Sequence, residues 1–439
     1  MHSNDVSVET KLKRIAEKAK KEPSLKFTSL FHLMNEELLL ECFDRLRHNA
    51  ASGIDHVTKT QYAEHLAENL RQLVDKLHKM AYRPQAVRRV YIPKPGSDKK
   101  RPLGVPALED KLVQAGLSKI LQAIYEQVFI DDSYGFRPAR GCHDALRALS
   151  QTVENQPVNY IVEADIKGFF DNVNQDQLMT FLAHRIADTR VLRYIKRFLK
   201  AGIQEDGVFR ASENGTPQGG VISPLLANLY LHYTLDLWFT RKFAKTCAGT
   251  ARLIRYADDF VACFKLEVAA TRYRTEVEAR LNQFGLEVAP AKTKMIEFGP
   301  FAVMKAKDRG EKAESFDFLG FTHYCSRTRD GSRFRMKRKT ISKRFAAKLR
   351  VYKEWLKSNR TLTTPEIMLK TAAKLQGHYG YYGVTDNARK IGAYYYEVKR
   401  ILYKWLNRRG KPGSYNWEKF DRLLERYPLP VPRIKVSLF

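Results

Sequence analysis

The stretch RYADDFVACF, residues 255–264, sets two aspartates side by side between segments typical of apolar β-strands. Two carboxylates about 4 Å apart repel each other by roughly 1 kcal/mol in water and by about 4 kcal/mol at an effective dielectric constant near 20. Partial burial of the pair therefore calls for a counter-charge, such as a basic side chain or a metal ion. The alternative interpretation is a plain hairpin turn, in which neighbouring aspartates are common and harmless.

A third carboxylate favours the metal-site interpretation. Asp165 interrupts another strand-like run, IVEADIKGFF (161–170). From 159 to 288 the chain reads as strand, two helices, strand-turn-strand and helix, which predicts an α+β fold whose sheet has helices on one face. Carboxylates from neighbouring strands can converge on an oxygen-lined site of the kind that Mg²⁺ prefers. Two such ions would polarise the attacking and leaving oxygens of a phosphoryl transfer.

The segments around this core read as helices and one hairpin. Apolar spacing and turn residues predict helices at 30–49, 61–80, 108–129 and 273–288. Alternation broken by Pro and Gly predicts a hairpin at 85–106 with a basic tip. The sequence contains no internal repeat.

The charge balance points to a polyanionic partner. The chain has 77 Lys and Arg against 48 Asp and Glu, a net charge of +29. Residues 327–439 hold 29 of these basic residues and 8 of the acidic ones, so this segment alone has a net charge of +21. Apolar residues at helical spacing within it predict folded basic helices rather than a disordered tail. Nucleic acid is the first candidate for the partner.

Cysteine usage and hydropathy exclude several other classes of protein. The five cysteines lie far apart without a C-x-x-C pair, so neither a disulfide framework nor a zinc site is predicted. This fits a reducing cytoplasm. The N-terminus lacks the apolar core of a signal peptide, and no run of 18 apolar residues occurs, so we expect no membrane segment.

A set of motifs follows in a fixed order over most of the chain. They are SGID (52–55), RPLGVP (101–106), SYGFRP (133–138), DIKGFFD (165–171), GTPQGGVISP (215–224), YADD (256–259), FLGF (318–321) and GHYGYY (377–382). Each motif alone is weak evidence. Together and in this order they make the chain resemble the reverse transcriptases that bacterial group II introns encode.

The resemblance implies a right-hand polymerase of the α+β class, with fingers, a palm built on an antiparallel sheet with helices on one face, and an α-helical thumb. It implies an N-terminal extension of the fingers (1–60), fingers and palm (61–325), a helical thumb or maturase domain (335–409) and a small basic DNA-binding appendix (410–439). The endonuclease domain of many relatives is not expected, because no cysteine follows Cys325.

The activity implied by the resemblance is RNA-directed DNA synthesis. A primer 3′-hydroxyl attacks the α-phosphorus of a dNTP on an RNA template, assisted by two Mg²⁺ ions that Mn²⁺ can replace. The primer is DNA or RNA. Group II intron RNA, bound in a maturase role, and target DNA are the further partners, in the bacterial cytoplasm or nucleoid and without a membrane.

The site residues implied by the resemblance fall into three groups. Asp165 and Asp258, with the Ile166 carbonyl, bind the metal ions, and Asp259 supports them as the third catalytic carboxylate. Phe170 blocks the space of a ribose 2′-hydroxyl, which favours deoxynucleotides. The dNTP contacts are Phe170, Gln218, Lys94, Arg101 and Ile166. The nucleic-acid contacts are Arg137, Arg140, Lys292, Arg338, Lys343, Arg344 and Lys348.

Three other functions stay open. An RNA-directed RNA polymerase would share the aspartates, although Phe170 and Ala257 argue against it, because such enzymes usually have Gly-Asp-Asp and accept a 2′-hydroxyl. A splicing cofactor that mainly binds RNA would explain the basic C-terminal segment without any catalysis. A domesticated reverse transcriptase in DNA repair or phage defence would carry the same motifs.

Overall fold

The computed structural model describes residues 6–93, 100–216, 219–290, 293–407 and 415–438. Its first elements are α1 (Val8–Lys21), α2 (Glu36–Arg45), α3 (Lys59–Ala63), α4 (Leu66–His78), β1 (Val87–Pro93), β2 (Lys100–Val105), α5 (Leu108–Tyr125) and α6 (Cys142–Asn155). The middle elements are β3 (Tyr160–Asp165), α7 (Phe169–Asn172), α8 (Gln175–Ala183), α9 (Thr189–Leu199), β4 (Ile203–Glu205), β5 (Val208–Arg210), α10 (Ser223–Leu231), β6 (Ala251–Tyr256), β7 (Asp259–Phe264) and α11 (Glu267–Asn282). The last elements are β8 (Lys294–Glu297), α12 (Ala302–Asp308), β9 (Ser315–Phe318), β10 (Phe321–Arg327), β11 (Phe334–Thr340), α13 (Ser342–Ser358), α14 (Thr364–Tyr382), α15 (Ala388–Leu406) and α16 (Trp417–Arg426).

Three sheets organise these elements. The central sheet has the strand order β6-β7-β3-β8, with every neighbouring pair antiparallel. A mixed sheet, β2-β1-β4-β5, contains the predicted hairpin and adds β4 parallel to β1. A third sheet, β11-β10-β9, leads into the C-terminal helices. The α+β class predicted from the sequence is therefore the class observed, with antiparallel pairing in the central sheet.

The prediction of helices on one face of the sheet is wrong, because both faces of the central sheet are covered. The period of two along each strand sends alternate apolar side chains into two separate cores. One face, with Val162 and Phe260, packs on a first core that includes residues of α1, α2, α4, α5 and α8–α11. The other face, with Ile161 and Val261, packs on a second core that includes residues of α6, β9–β11 and α13–α16.

The described residues of the basic C-terminal segment, 327–407 and 415–438, are folded, as the apolar spacing predicts. Side chains of α13, α14 and α15 lie in the second core, together with Phe420 and Leu438 further along the chain. A capping box starts α14: the Thr363 hydroxyl oxygen accepts from the Glu366 amide, and the Glu366 carboxylate accepts from the Thr363 amide. No helix in the part of the chain that the structure describes has both the length and the apolarity needed to cross a membrane.

A buried arginine helps to anchor the N-terminal segment. Arg185 follows α8 and is 4 % exposed. Its guanidinium donates to the carbonyls of Ala19 (3.1 Å), Glu22 (3.3 Å), Pro23 (2.7 Å) and Leu25 (3.0 Å). These oxygens lie at and beyond the C-terminus of α1, where backbone carbonyls lack partners within the helix. The arginine thus joins the first helix to the centre of the fold.

Folding stability should fall with rising pH because of one buried acid. Asp110 is 1 % exposed and accepts from the Tyr82 hydroxyl (2.6 Å) and the Gln85 amide (3.1 Å). Burial raises the pKa of Asp110 to about 7. The native state therefore holds this proton where the unfolded chain, with a pKa near ~3.9, has released it. The stabilisation is complete below about pH 4 and is lost as the pH rises through about 7, a loss on the order of 4 kcal/mol.

The Asp110→Asn variant tests this expectation. Its free energy of unfolding, measured with urea at several pH values, should depend less on pH between 4 and 7 than that of the parent. Comparing slopes removes any constant cost of the altered hydrogen bonds. Identical slopes for the two proteins would contradict the expectation.

Candidate active site

Two aspartates of the central sheet face each other across adjacent strands. Asp165, the last residue of β3, is the direct cross-strand partner of Asp259, the first residue of β7. Side chains of such a pair point to the same face, with Cβ atoms about 5 Å apart. Asp258 lies beside them, half-buried, in the two-residue turn that joins β6 to β7. The structure therefore brings the three predicted carboxylates to one end of one sheet.

The Asp258 turn has an unfavourable backbone conformation. Ala257 has a φ of +56°, in the left-handed region where a residue with a Cβ is strained. Glycine is the usual residue at a positive φ in tight hairpin turns. Strain of this kind persists only where the surroundings impose it.

A buried arginine fixes that turn. Arg255 is fully buried, and its guanidinium donates to both carboxylate oxygens of Asp236, at 2.7 and 2.5 Å. It also donates to the Ala257 carbonyl (2.9 Å), to Asn228 Oδ1 (3.0 Å) and to Ser133 Oγ (2.7 Å). Charge-assisted bonds in a dry interior are strong and directional. The position of the turn thus depends on a side chain that faces away from the aspartates.

Further acids lie beside the aspartate pair. Glu163 precedes Asp165 by two residues on β3 and so shares its face. Burial, followed by the negative charges of Asp317 and Asp259, raises the pKa of Glu163 to about 7. Glu163 is not among the site residues predicted from the sequence, although the period of two along a strand could have identified it.

An open cleft of about 730 Å³ lies on this face. Its floor includes Asp165, Asp259 and Glu163, and its far wall is formed by the β9–β10 turn and the start of α13. Lys343 and Arg344, exposed in the first turn of α13, line that wall. Acids of the central sheet and cations of α13 thus line one cleft, an arrangement that suits a phosphate-bearing strand whose end meets metal ions.

A smaller cavity of about 170 Å³ is lined in part by Phe170. Phe170 is half-buried, with its ring edge-to-face against Phe169 at 5.4 Å between centroids. Its carbonyl accepts from the Thr216 amide (2.8 Å), which ties α7 to the GTPQGG segment. Gln218 lies outside the described residues, as do Lys94 and Lys292.

Ile166 is buried just after β3. It forms an isolated antiparallel bridge with Val288. The flanking hydrogen bonds run from the Ala289 amide to the Asp165 carbonyl (2.8 Å) and from the Lys167 amide to the Glu287 carbonyl (2.9 Å). These two bonds leave the Ile166 carbonyl out of the bridge, so this oxygen remains a suitable candidate ligand.

Two of the predicted nucleic-acid contacts are inaccessible. Arg338 is fully buried and donates to Ser150 Oγ (2.6 Å). Arg137 is 7 % exposed and donates to Glu126 (2.9 Å) and to the carbonyls of Ile130 (2.7 Å) and Ser133 (2.8 Å). A guanidinium that is enclosed and already bonded cannot reach a phosphate, so neither arginine is retained as a contact.

The other predicted cations lie at or near the surface. Arg101 is exposed on β2, opposite Ile92. Arg140 is paired with Asp131 at 2.8 Å. Lys348 lies over the Tyr382 ring, 4.6 Å from its centroid, and burial lowers its pKa. Lys343 and Arg344 at the cleft are therefore the best placed of the set.

The oxygen donors at this end of the sheet suit Mg²⁺ more than a metal held by protein side chains alone. Across the described ranges, no group of three or more His, Cys, Asp or Glu side chains has a metal-binding arrangement. Mg²⁺ usually takes only one or two carboxylates and completes its shell with water and substrate phosphates. Two facing aspartates with a third in the adjoining turn supply such oxygen donors, so the residues present fit the ion.

Comparison with known proteins agrees with this geometry. The profile of the family described as "Reverse transcriptase (RNA-dependent DNA polymerase)" matches residues 92–323. Group II intron-encoded protein LtrA of Lactococcus lactis subsp. cremoris is 39 % identical over 225 residues, 50 % of this chain and 37 % of LtrA. Protein YkfC of Escherichia coli (strain K12) is 34 % identical over 285 residues, 58 % of this chain and 74 % of YkfC. An uncharacterized 91 kDa protein in the cob intron of Schizosaccharomyces pombe is 33 % identical over 230 residues, 52 % of this chain and 28 % of that protein.

Proposed function

This chain belongs to the reverse transcriptase (RNA-dependent DNA polymerase) family, and from that premise we propose that it extends a primer 3′-hydroxyl with dNTPs on an RNA template. The observation that carries the proposal is the pairing of Asp165 with Asp259, next to the Asp258 turn, in a cleft that Lys343 and Arg344 also line. The family has a right-hand polymerase fold. The mixed helices and antiparallel sheets of the structure are consistent with it.

We assign the parts of that fold as follows. The central sheet is the palm, the β1–β2 hairpin with the preceding helices forms the fingers, and α13–α15 form the thumb. We keep the boundaries expected from the sequence, 1–60, 61–325, 335–409 and 410–439, as part of this proposal. The second core runs from the central sheet into the C-terminal helices, which would couple thumb and palm mechanically.

Six of the predicted site residues have the following roles in this proposal. Asp165, Asp258 and the Ile166 carbonyl would hold two Mg²⁺ ions, for which Mn²⁺ could substitute. When bound, the ions stabilise the charge that develops on the transferring phosphoryl group. Asp259 adds negative charge beside Asp165. Lys343 and Arg344 hold the primer or template backbone by its phosphates.

The RNA partner is proposed from two supports. The C-terminal segment is basic and helical, which suits the phosphates of a duplex. The name of the LtrA relative refers to a group II intron. We infer that the chain also binds group II intron RNA in a maturase role and meets target DNA, in the bacterial cytoplasm. A splicing assay with the Asp258→Ala variant separates the roles: intact splicing without DNA synthesis is expected.

Primer extension with the purified chain tests the polymerase proposal. A labelled DNA primer on an RNA template should be elongated with dNTPs and Mg²⁺, and excess chelator should stop the reaction. Elongation with NTPs at the same rate would instead favour an RNA polymerase. No elongation, together with tight RNA binding, would favour the splicing-cofactor alternative.

Phe170 should decide the choice of sugar. Replacing Phe170 with alanine opens the small cavity and removes the ring that would clash with a 2′-hydroxyl. We expect the preference for dNTPs over NTPs, measured as the ratio of kcat/KM values, to fall by about tenfold or more. Phe301→Ala is the control, since Phe301 is an exposed phenylalanine on the short segment before α12. An unchanged ratio in Phe170→Ala would rule out this role.

A further inference from the structure

Phe136 has a backbone conformation that is unfavourable for an aromatic residue. Its φ is +58°, in the left-handed region, which is a genuine outlier for a bulky side chain. The ring gains little burial in return, because the residue is 49 % exposed. Ala139 in the same loop also has a positive φ, of +56°. Strain without burial suggests that the ring serves a purpose other than stability.

The loop that carries Phe136 is fixed on its N-terminal side to the Asp258 turn. The Tyr134 amide donates to the Arg255 carbonyl (2.9 Å), and Asn228 Nδ2 donates to the Gly135 carbonyl (2.6 Å). Gly135 lies so close to the turn that an added Cβ would be 2.3 Å from the Ala257 amide nitrogen. Phe136 therefore emerges directly beside the residues that hold Asp258.

The other side of the loop is fixed by Arg137. Its guanidinium donates hydrogen bonds to the carbonyls of Ile130 and Ser133 and to the Glu126 carboxylate. With both flanks held, Phe136 cannot relax its φ without breaking these bonds. A rigid, solvent-facing ring next to a polymerase turn is the kind of platform on which an unpaired base stacks.

We propose that Phe136 is a template-contacting residue that stacks on an unpaired base of the template strand next to the catalytic turn. Bases within the duplex are already stacked on both faces, so the template base beyond the last pair is the one that offers a free face. The inference rests on the proposed polymerase function. It adds a contact that none of the predicted site residues supplies.

The test is a binding experiment that does not require catalysis. A primer–template duplex with a 5′ RNA overhang, carrying 2-aminopurine at the first unpaired template position, is compared with a blunt duplex of the same paired sequence. Phe136→Gly and Phe136→Asn both tolerate a positive φ but lack the ring. We expect the Kd for the overhang duplex to rise by about tenfold, and the quenching of 2-aminopurine fluorescence to weaken. The Kd for the blunt duplex should not change.

Stability separates this role from a structural one. Phe136→Gly should unfold at the same or a higher urea concentration than the parent, because the strain is relieved. Phe136→Trp should keep tight overhang binding, and Phe301→Ala, the exposed-phenylalanine control, should behave like the parent. Equal weakening for both duplexes, unchanged overhang binding, or clear destabilisation of both Phe136→Gly and Phe136→Asn would overturn the proposal. A parent protein that neither extends primers nor prefers the overhang duplex over the blunt duplex would instead refute the proposed function.

Discussion

Replacing Asp258 with alanine is expected to lower primer extension by about a thousandfold or more while RNA binding stays within about twofold. Asp258 supplies an oxygen donor beside the Asp165–Asp259 pair, and the loss of one ligand removes much of the charge stabilisation at the transferring phosphoryl group. The drop should appear in kcat, because the substrate contacts assigned to other residues are untouched. Single-turnover extension assays, with binding measured separately by fluorescence anisotropy, distinguish the two effects.

The matched control is Asp330→Asn. Asp330 is also an aspartate in a hairpin turn, where its carboxylate accepts from Ser332 Oγ at 2.7 Å, but this turn joins β10 to β11. Activity within about twofold of the parent is expected for it. If Asp258→Ala retained a tenth of the parental rate, the assignment of Asp258 as a metal ligand would have to be abandoned.

Replacing Asp236 with alanine should destabilise the fold by about 3–5 kcal/mol. The substitution leaves the Arg255 guanidinium fully buried without the carboxylate that neutralises it. The same change should also lower kcat, because Arg255 holds the Ala257 carbonyl and thereby the Asp258 turn. Urea unfolding gives the free energy, and primer extension under stable conditions gives kcat and KM.

Two comparisons make that result specific. Glu418→Ala breaks an exposed ion pair with Arg422 in α16 and should cost no more than about 0.5 kcal/mol. The double variant Arg255→Met with Asp236→Leu should recover more than half of the lost stability, since an apolar pair of similar volume is tolerated in a core. Its kcat should remain low, because the Ala257 carbonyl has lost its donor. Full recovery of kcat would show that Arg255 does not position the turn.

The sequence predicted the centre of the fold because the signals there are local. Apolar runs on either side of Asp258 specify two strands and a tight turn, and the run before Asp165 specifies a third strand. Their antiparallel pairing then follows from the short connection between β6 and β7 and from the shared sheet. The sequence does not predict that Asp165 lies directly opposite Asp259, because this depends on the register of β3 against β7, which is set by contacts between residues far apart in the chain.

The burial of Arg137 and Arg338 could not be predicted in this way. A cation in a basic segment is normally exposed, and nothing near Arg338 in the sequence indicates that Ser150, 188 residues away, will accept its hydrogen bond. The second covered face of the sheet has a different cause: the prediction was drawn from residues 159–288, whereas α6 precedes this range and β9–β11 follow it. The strands β4 and β5 were missed because three residues are too few for a periodic pattern.

The Arg185 anchor has a consequence for synthesis on the ribosome. The Ala19 carbonyl and the Arg185 guanidinium are separated by 166 residues. The first helix therefore emerges long before the side chain that bonds its last carbonyls, and at ribosomal elongation rates the interval is on the order of ten seconds. Until then the carbonyls at and beyond its C-terminus lack the donor that they have in the native fold, so this end of the helix completes its contacts only after residue 185 has been synthesised.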